Sequence, residues 1–123
     1  MIKQMIGINL FFATAVFAGN APAITPALIE KGKAVYTANC LTCHGEQGNG
    51  EGPAGAYMNP KPRNFTKDKF KAGDQPQQIF KTISLGLPNT TMAGFGHLSE
   101  EDRWAATYYL ISTFRKSAAN LKK

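Results

Sequence analysis

At 123 residues, with 43% hydrophobic and 18% charged content, the chain makes one domain and a small one. Fourteen Lys and Arg against eight Asp and Glu give a formal charge of +6, a balance that steers a protein toward an acidic patch or an anionic surface. Nucleic acid is the competing reading of that charge, and no nucleic-acid motif accompanies it.

Met1 to Ala23 reads as a signal peptide. Lys3 supplies the positive start, and Met5 to Ala18 is apolar apart from Gly7, Asn9 and Thr14, with small residues after it. Cleavage sites compete after Ala18 and after Ala23, so residues 24–123 are expected to form the exported, periplasmic domain. The apolar run is short for a bilayer span, which leaves an uncleaved anchor as the lesser alternative and no transmembrane span in the mature protein. Export also removes the opportunity for nucleic-acid binding.

From Pro26 to Asn39, Leu28, Ile29, Val35 and Tyr36 recur at helical spacing behind a proline suited to a first turn, which predicts a first helix. Gly32 lies on the same stripe, where it costs helix propensity but lets another helix approach closely. At the end of this helix stands Cys40-Leu41-Thr42-Cys43-His44, the C-x-x-C-H pattern for attaching a c-type haem. Each thiol adds across one porphyrin vinyl group, and the histidine that follows is held beneath the iron as proximal ligand.

Other uses of the pair fit less well. A redox-active C-x-x-C normally follows a strand in a βαβ unit, and none is predicted before Cys40. Zinc would need two more ligands, from a chain whose histidines are His44 and His97, and adjacent Cys43 and His44 do not converge easily on one tetrahedral ion. A disulfide across so short a loop would staple very little. A haem would also give a small core a large apolar plate to pack against.

Gly45 to Gly55 carries glycines at 45, 48, 50, 52 and 55 and is predicted as a loop; it lacks the lysine and preceding strand of a phosphate-binding loop. Met58 to Phe65, broken by Pro60 and Pro62, is predicted to run extended along the haem edge. Lys61, Arg63, Lys67, Lys69 and Lys71 against the single Asp68 make the densest basic stretch, either a docking patch for an acidic redox partner or a solvated face.

Gly73 to Pro76 looks like a helix start, with Asp74 or Gln75 as cap, and predicts a second helix to about Leu85 with Ile79, Phe80 and Ile83 on its apolar stripe and Gly86 at its end. Leu87 to Gly96 follows as a long loop. Ser99-Glu100-Glu101-Asp102 reads as a capping box opening a third helix to about Arg115, with Trp104, Ala105, Tyr108, Tyr109 and Ile111 on its apolar face. Its small Ala105 and Ala106 would allow close contact with the first helix near Gly32. The polar tail to Lys123 is expected to fray.

Beyond the signal segment, the candidates for a sixth iron ligand are Met58, Met92 and His97. Met92 fits best, because a thioether favours ferrous iron and the second helix with its loop can carry Met92 around the haem; Met58 and His97 remain open.

The chain resembles the class I c-type cytochromes, specifically the small exported single-haem electron carriers of bacteria. The resemblance rests on Cys40, Cys43 and His44, on Gly32 and Tyr36, on Gly50-x-Gly52-Pro53, on Pro62-Arg63-Asn64-Phe65, on the Met92 loop, and on Arg103-Trp104 with Tyr109. It implies an all-α cytochrome c fold, with three main helices and long loops wrapped around one covalently attached haem. It also implies that the Pro53 carbonyl accepts a hydrogen bond from His44 Nδ1 and that Arg63 pairs with a haem propionate. Ala93 stands where many relatives have proline after the ligand methionine. The expected function is a monomeric electron carrier, not an enzyme, with His44 and Met92 on the iron and acidic redox partners. The alternative is a gas-binding or peroxidase-like haem protein with an open sixth position.

Overall fold

The computed structural model describes residues 20–115, and these are helical and looped with no strand among them. Of the expected signal peptide, Met1 to Ala23, residues 1–19 lie outside the described residues, as does the polar tail from residue 116. Helix α1 spans Pro26–Asn39, the one-turn α2 Leu41–His44, α3 Pro76–Leu85 and α4 Glu100–Leu110. The three predicted helices are α1, α3 and α4.

Local chemistry accounts for their ends. Thr25 caps α1, its hydroxyl accepting from Leu28 N–H at 3.1 Å ahead of Pro26. Gln75 takes the cap position of α3, and its own N–H donates to Gln78 Oε1 at 3.1 Å. Helix α3 stops at Gly86, whose φ of 75° suits a residue without a Cβ. Ser99 Oγ accepts from Asp102 N–H at 3.0 Å to open α4. The Asp102 carboxylate is turned to Lys31 Nζ of α1, 3.2 Å away, beside Glu101 at 2.9 Å.

The α1–α4 crossing organises the packing. A Cβ at Gly32 would collide with the carbonyl of Ala105, and it would lie 2.7 Å from Tyr109 Cβ. Ala105 itself is fully buried. Below the crossing, Leu28, Trp104, Ala105 and Tyr108 form one apolar cluster, onto which Phe80 of α3 stacks through Trp104 at 4.2 Å. Above it, Tyr36, Ala106, Leu110 and Phe114 join Phe65, Ile79 and Ile83 in a second cluster. The chain ahead of α1 is tied down too, Tyr108 Oη donating to the Pro22 carbonyl at 2.8 Å.

The third predicted helix reaches Arg115 as expected, but its last turn, Ile111–Arg115, is a π-helix. This widening turns Phe114 inward against Tyr36 at 5.5 Å and Tyr109 at 5.8 Å.

Because the obstacle at Gly32 is backbone, Gly32→Ala should destabilise the protein by about 2 kcal/mol or more, reversing the ~1 kcal/mol that alanine ordinarily contributes in a helix. Urea unfolding of the holoprotein checks this; a midpoint equal to or above that of the parent would mean the crossing tolerates a methyl group.

Candidate haem site

The C-x-x-C-H segment is built by the end of α1. Cys40 N–H donates to the Tyr36 carbonyl at 2.8 Å, and the Cys40 carbonyl then accepts from His44 N–H at 2.9 Å, which winds α2 immediately after α1. Cys40 and Cys43, three residues apart, therefore share a helical face, and both are free thiols. The glycine-rich loop folds back over this turn: Gly50 N–H donates to the His44 carbonyl at 2.8 Å, Gly52 N–H to Cys43 at 3.1 Å and Ala54 N–H to Thr42 at 2.9 Å. A Cβ at Gly52 would collide with the Thr42 carbonyl, so only glycine lets the loop lie this close. Tyr36 closes the other side, its hydroxyl donating to the Gly45 carbonyl at 2.6 Å.

His44 is buried and held from two directions. Its ring stacks on Phe65 at 4.3 Å with the planes 21° apart, and Nδ1 lies 3.2 Å from the Arg63 carbonyl. A carbonyl only accepts, so Nδ1 carries the proton and Nε2 keeps its lone pair. Burial lowers the His44 pKa, opposed by the bond to Arg63, and the ring is neutral near pH 7.

The acceptor differs from the expected one. Pro53 is exposed and off the cavity wall, because the N–H groups on either side of it, of Gly52 and Ala54, are engaged with the α2 backbone. The extended stretch through Pro62 and Arg63 passes the ring instead. Every residue carries a carbonyl, so this exchange left no side-chain signature to read.

A cavity of about 290 Å³ opens against these residues. Its wall includes Cys40, Cys43 and His44, the apolar residues Phe65, Ile79, Ile83 and Leu110, and the loop residues Leu87, Thr90 and Met92. Arg63 also lines it, and so does Met58; His97 does not, being exposed and set beside Phe95 at 5.9 Å. Burial, with the neighbouring Cys43 as a second cause, pushes the Cys40 thiol up to about 11, so the thiol is neutral. Lys61, Arg63 and Lys71 line the cavity, and among the described residues no carboxylate does.

Met92 is fastened at both backbone groups: its N–H donates to Thr90 Oγ1 at 3.1 Å, and its carbonyl accepts from Leu87 N–H at 3.2 Å. Thr90 Oγ1 in turn donates to the Leu87 carbonyl at 2.8 Å. Thr90 is a site residue that sequence reasoning missed, though a threonine two residues before Met92 in a loop is a recognisable local hydrogen-bonding signal.

These residues fit a covalently bound haem. Two thiols share one helical turn on the cavity wall, the imidazole beside them has a free Nε2, and apolar side chains with three cations complete a wall suited to an apolar plate bearing carboxylates.

Comparison with known proteins points the same way. The family model for cytochrome c matches residues 29–114. The chain is 35% identical over 92 residues to the Cbb3-type cytochrome c oxidase subunit FixP of Azorhizobium caulinodans, covering 75% of this chain and 29% of that protein. It is 31% identical over 84 residues to the thiosulfate dehydrogenase of Stutzerimonas stutzeri, covering 68% of this chain and 27% of that one. A chain of the reducing HAO-like protein complex of Kuenenia stuttgartiensis superposes with a TM-score of 0.71 at 34% identity, over 77% of this chain and 47% of that chain. The chain thus spans under a third of these curated relatives' length. The match runs from α1 to the final π-turn and takes in the whole C-x-x-C-H segment, so this chain belongs to the cytochrome c family, with the all-α fold and covalently bound c-type haem that serve electron transfer.

Proposed function

We propose that this chain is an exported electron carrier in which Cys40 and Cys43 hold one haem through thioether bonds and His44 and Met92 ligate its iron. The observation that carries this reading is one cavity wall shared by Cys40, Cys43, His44 and Met92. When bound, the haem supplies a one-electron couple at its iron. The protein does the rest. The Arg63 carbonyl keeps the proton on His44 Nδ1 and so leaves Nε2 to donate. The Met92 thioether offers a soft, neutral donor that favours the ferrous form, and its two backbone bonds supply stiffness where Ala93 replaces the proline of many relatives. Phe65, Ile79, Ile83 and Leu110 keep water from the haem face. Arg63 serves as the partner of a propionate.

A carrier is favoured over an enzyme or gas sensor by what the wall holds. Peroxidase-like chemistry wants an acid–base group over the iron, and among the described residues the wall has no carboxylate and no imidazole besides His44. The names of the relatives, an oxidase subunit and a thiosulfate dehydrogenase, suit a module that exchanges electrons with a larger oxidoreductase.

Export completes the reading, and the fold bears on where the leader is cut. Cleavage after Ala18 keeps the Pro22 carbonyl that Tyr108 uses, whereas cleavage after Ala23 removes it. The mature protein is expected to begin at Gly19, which intact mass of the purified holoprotein checks; a start at Ile24 would show that this tie is dispensable.

Met92→Ala is expected to leave haem attached but to bind cyanide and carbon monoxide at least about tenfold more tightly, ~1.4 kcal/mol, with Met58→Ala unchanged. Ligand titrations of both variants decide, and the reverse pattern would assign the iron to Met58. Lys67→Glu with Lys69→Glu should slow reduction by an acidic partner about tenfold at low salt and flatten its salt dependence. Stopped-flow reduction across ionic strengths reads this, and an unchanged rate would move docking away from the basic stretch.

A further inference from the structure

Arg115 stands outside the haem cavity, at the last position of the π-turn, yet the segment it grips is the one that holds His44. Its Nη1 donates to the Phe65 carbonyl at 3.0 Å and to the Asp68 carbonyl at 3.0 Å. Its Nη2 lies 3.6 Å from the Asp74 carboxylate, and its guanidinium carbon sits 4.5 Å from the centre of the Phe70 ring. Four contacts from one planar group clamp the stretch from Phe65 to Asp74 in a way that a single ammonium would not reproduce.

Within that stretch the turn Asn64 to Asp68 is closed on itself, the Asn64 carbonyl accepting from Asp68 N–H at 2.9 Å and Asp68 Oδ2 accepting from Asn64 N–H at 3.0 Å. Phe65 N–H donates to the Gly48 carbonyl at 2.7 Å. The turn is therefore a stiff unit, and a displacement at Phe65 or Asp68 carries over to its start. At that start is the Arg63 carbonyl that accepts from His44 Nδ1, and within it is the Phe65 ring on which His44 stacks.

We propose that Arg115 is a positioning residue for His44, acting through the Asn64–Asp68 turn to set the bond from Nδ1 to the Arg63 carbonyl and, through it, the electron donation of the imidazole. The proposal rests on His44 being an iron ligand. A histidine that gives its Nδ1 proton to a carbonyl is a more basic ligand and favours ferric iron; loosening that bond lowers its basicity and raises the midpoint potential. Loss of the Arg115 charge acts in the opposite direction, because removing a nearby cation favours the oxidised centre. The two effects separate by sign.

The test compares Arg115→Lys, which keeps the charge and the seat against Phe70, with Arg115→Gln. Midpoint potential and exchange of the His44 Nδ1 proton are measured by redox titration and NMR on the haem-loaded protein. Positioning expects Arg115→Lys to raise the potential and quicken that exchange. A wild-type potential and exchange rate in Arg115→Lys, with a lowered potential in Arg115→Gln, would reduce the role to charge and overturn the proposal. Wild-type values in both variants, with only unfolding affected, would leave Arg115 a structural clamp and overturn it equally. Failure of the underlying reading looks different: His44 ring protons of the oxidised parent protein would lack the large shifts that ligation to ferric iron produces, before any variant is compared.

Discussion

The contact between Gly32 and the Ala105 carbonyl is the constraint on which the rest depends. It sets α1 and α4 backbone to backbone, and because Cys40 follows α1 without an intervening loop, it also sets where the thiols and His44 stand. A small domain has little core with which to correct an error in such a placement. Here Trp104, Ala105 and Tyr108 on one side of the crossing, and Tyr36, Ala106 and Phe114 on the other, pack around it so that the site inherits a rigid base.

Around that base the cavity is arranged so that burial does not strand a charge. Burial keeps His44 and Cys40 neutral, and the one polar demand of the ring, its Nδ1–H, is met by a backbone carbonyl. Among the described residues, the cations Lys61, Arg63 and Lys71 line the cavity without a carboxylate beside them, a balance that suits the propionates of a haem. The same chain segment thus serves twice: from Met58 to Lys71 it gives His44 its acceptor and its stacking partner while presenting the basic surface.

What could be read from the sequence follows from the range of each interaction. Pro26, Pro76 and Ser99 announce helix starts by local chemistry, and Gly32 with Ala105 marks a crossing because small residues on two apolar stripes have few other reasons to be there. Thr25 before Pro26 carries a cap signal of the same local kind. The resemblance implies Pro53 as the acceptor of His44 Nδ1, and the acceptor lies instead at Arg63, since a contact to a main-chain carbonyl depends on the path of the loop and not on which side chain it bears. The π-turn and the grip of Arg115 on Phe65 and Asp68 are likewise long-range; a basic residue at a helix end already has a sufficient local explanation, and its real partners lie far away in the chain.

The most direct test of the central reading, a haem held by Cys40 and Cys43 with His44 and Met92 on its iron, is the visible and near-infrared spectrum of the oxidised holoprotein. A low-spin ferric spectrum with the weak methionine-to-iron charge-transfer band, lost in Met92→Ala and kept in Met58→Ala, is the expected result. A high-spin spectrum, or a low-spin one without that band, would contradict it and turn attention to ligand binding at an open iron.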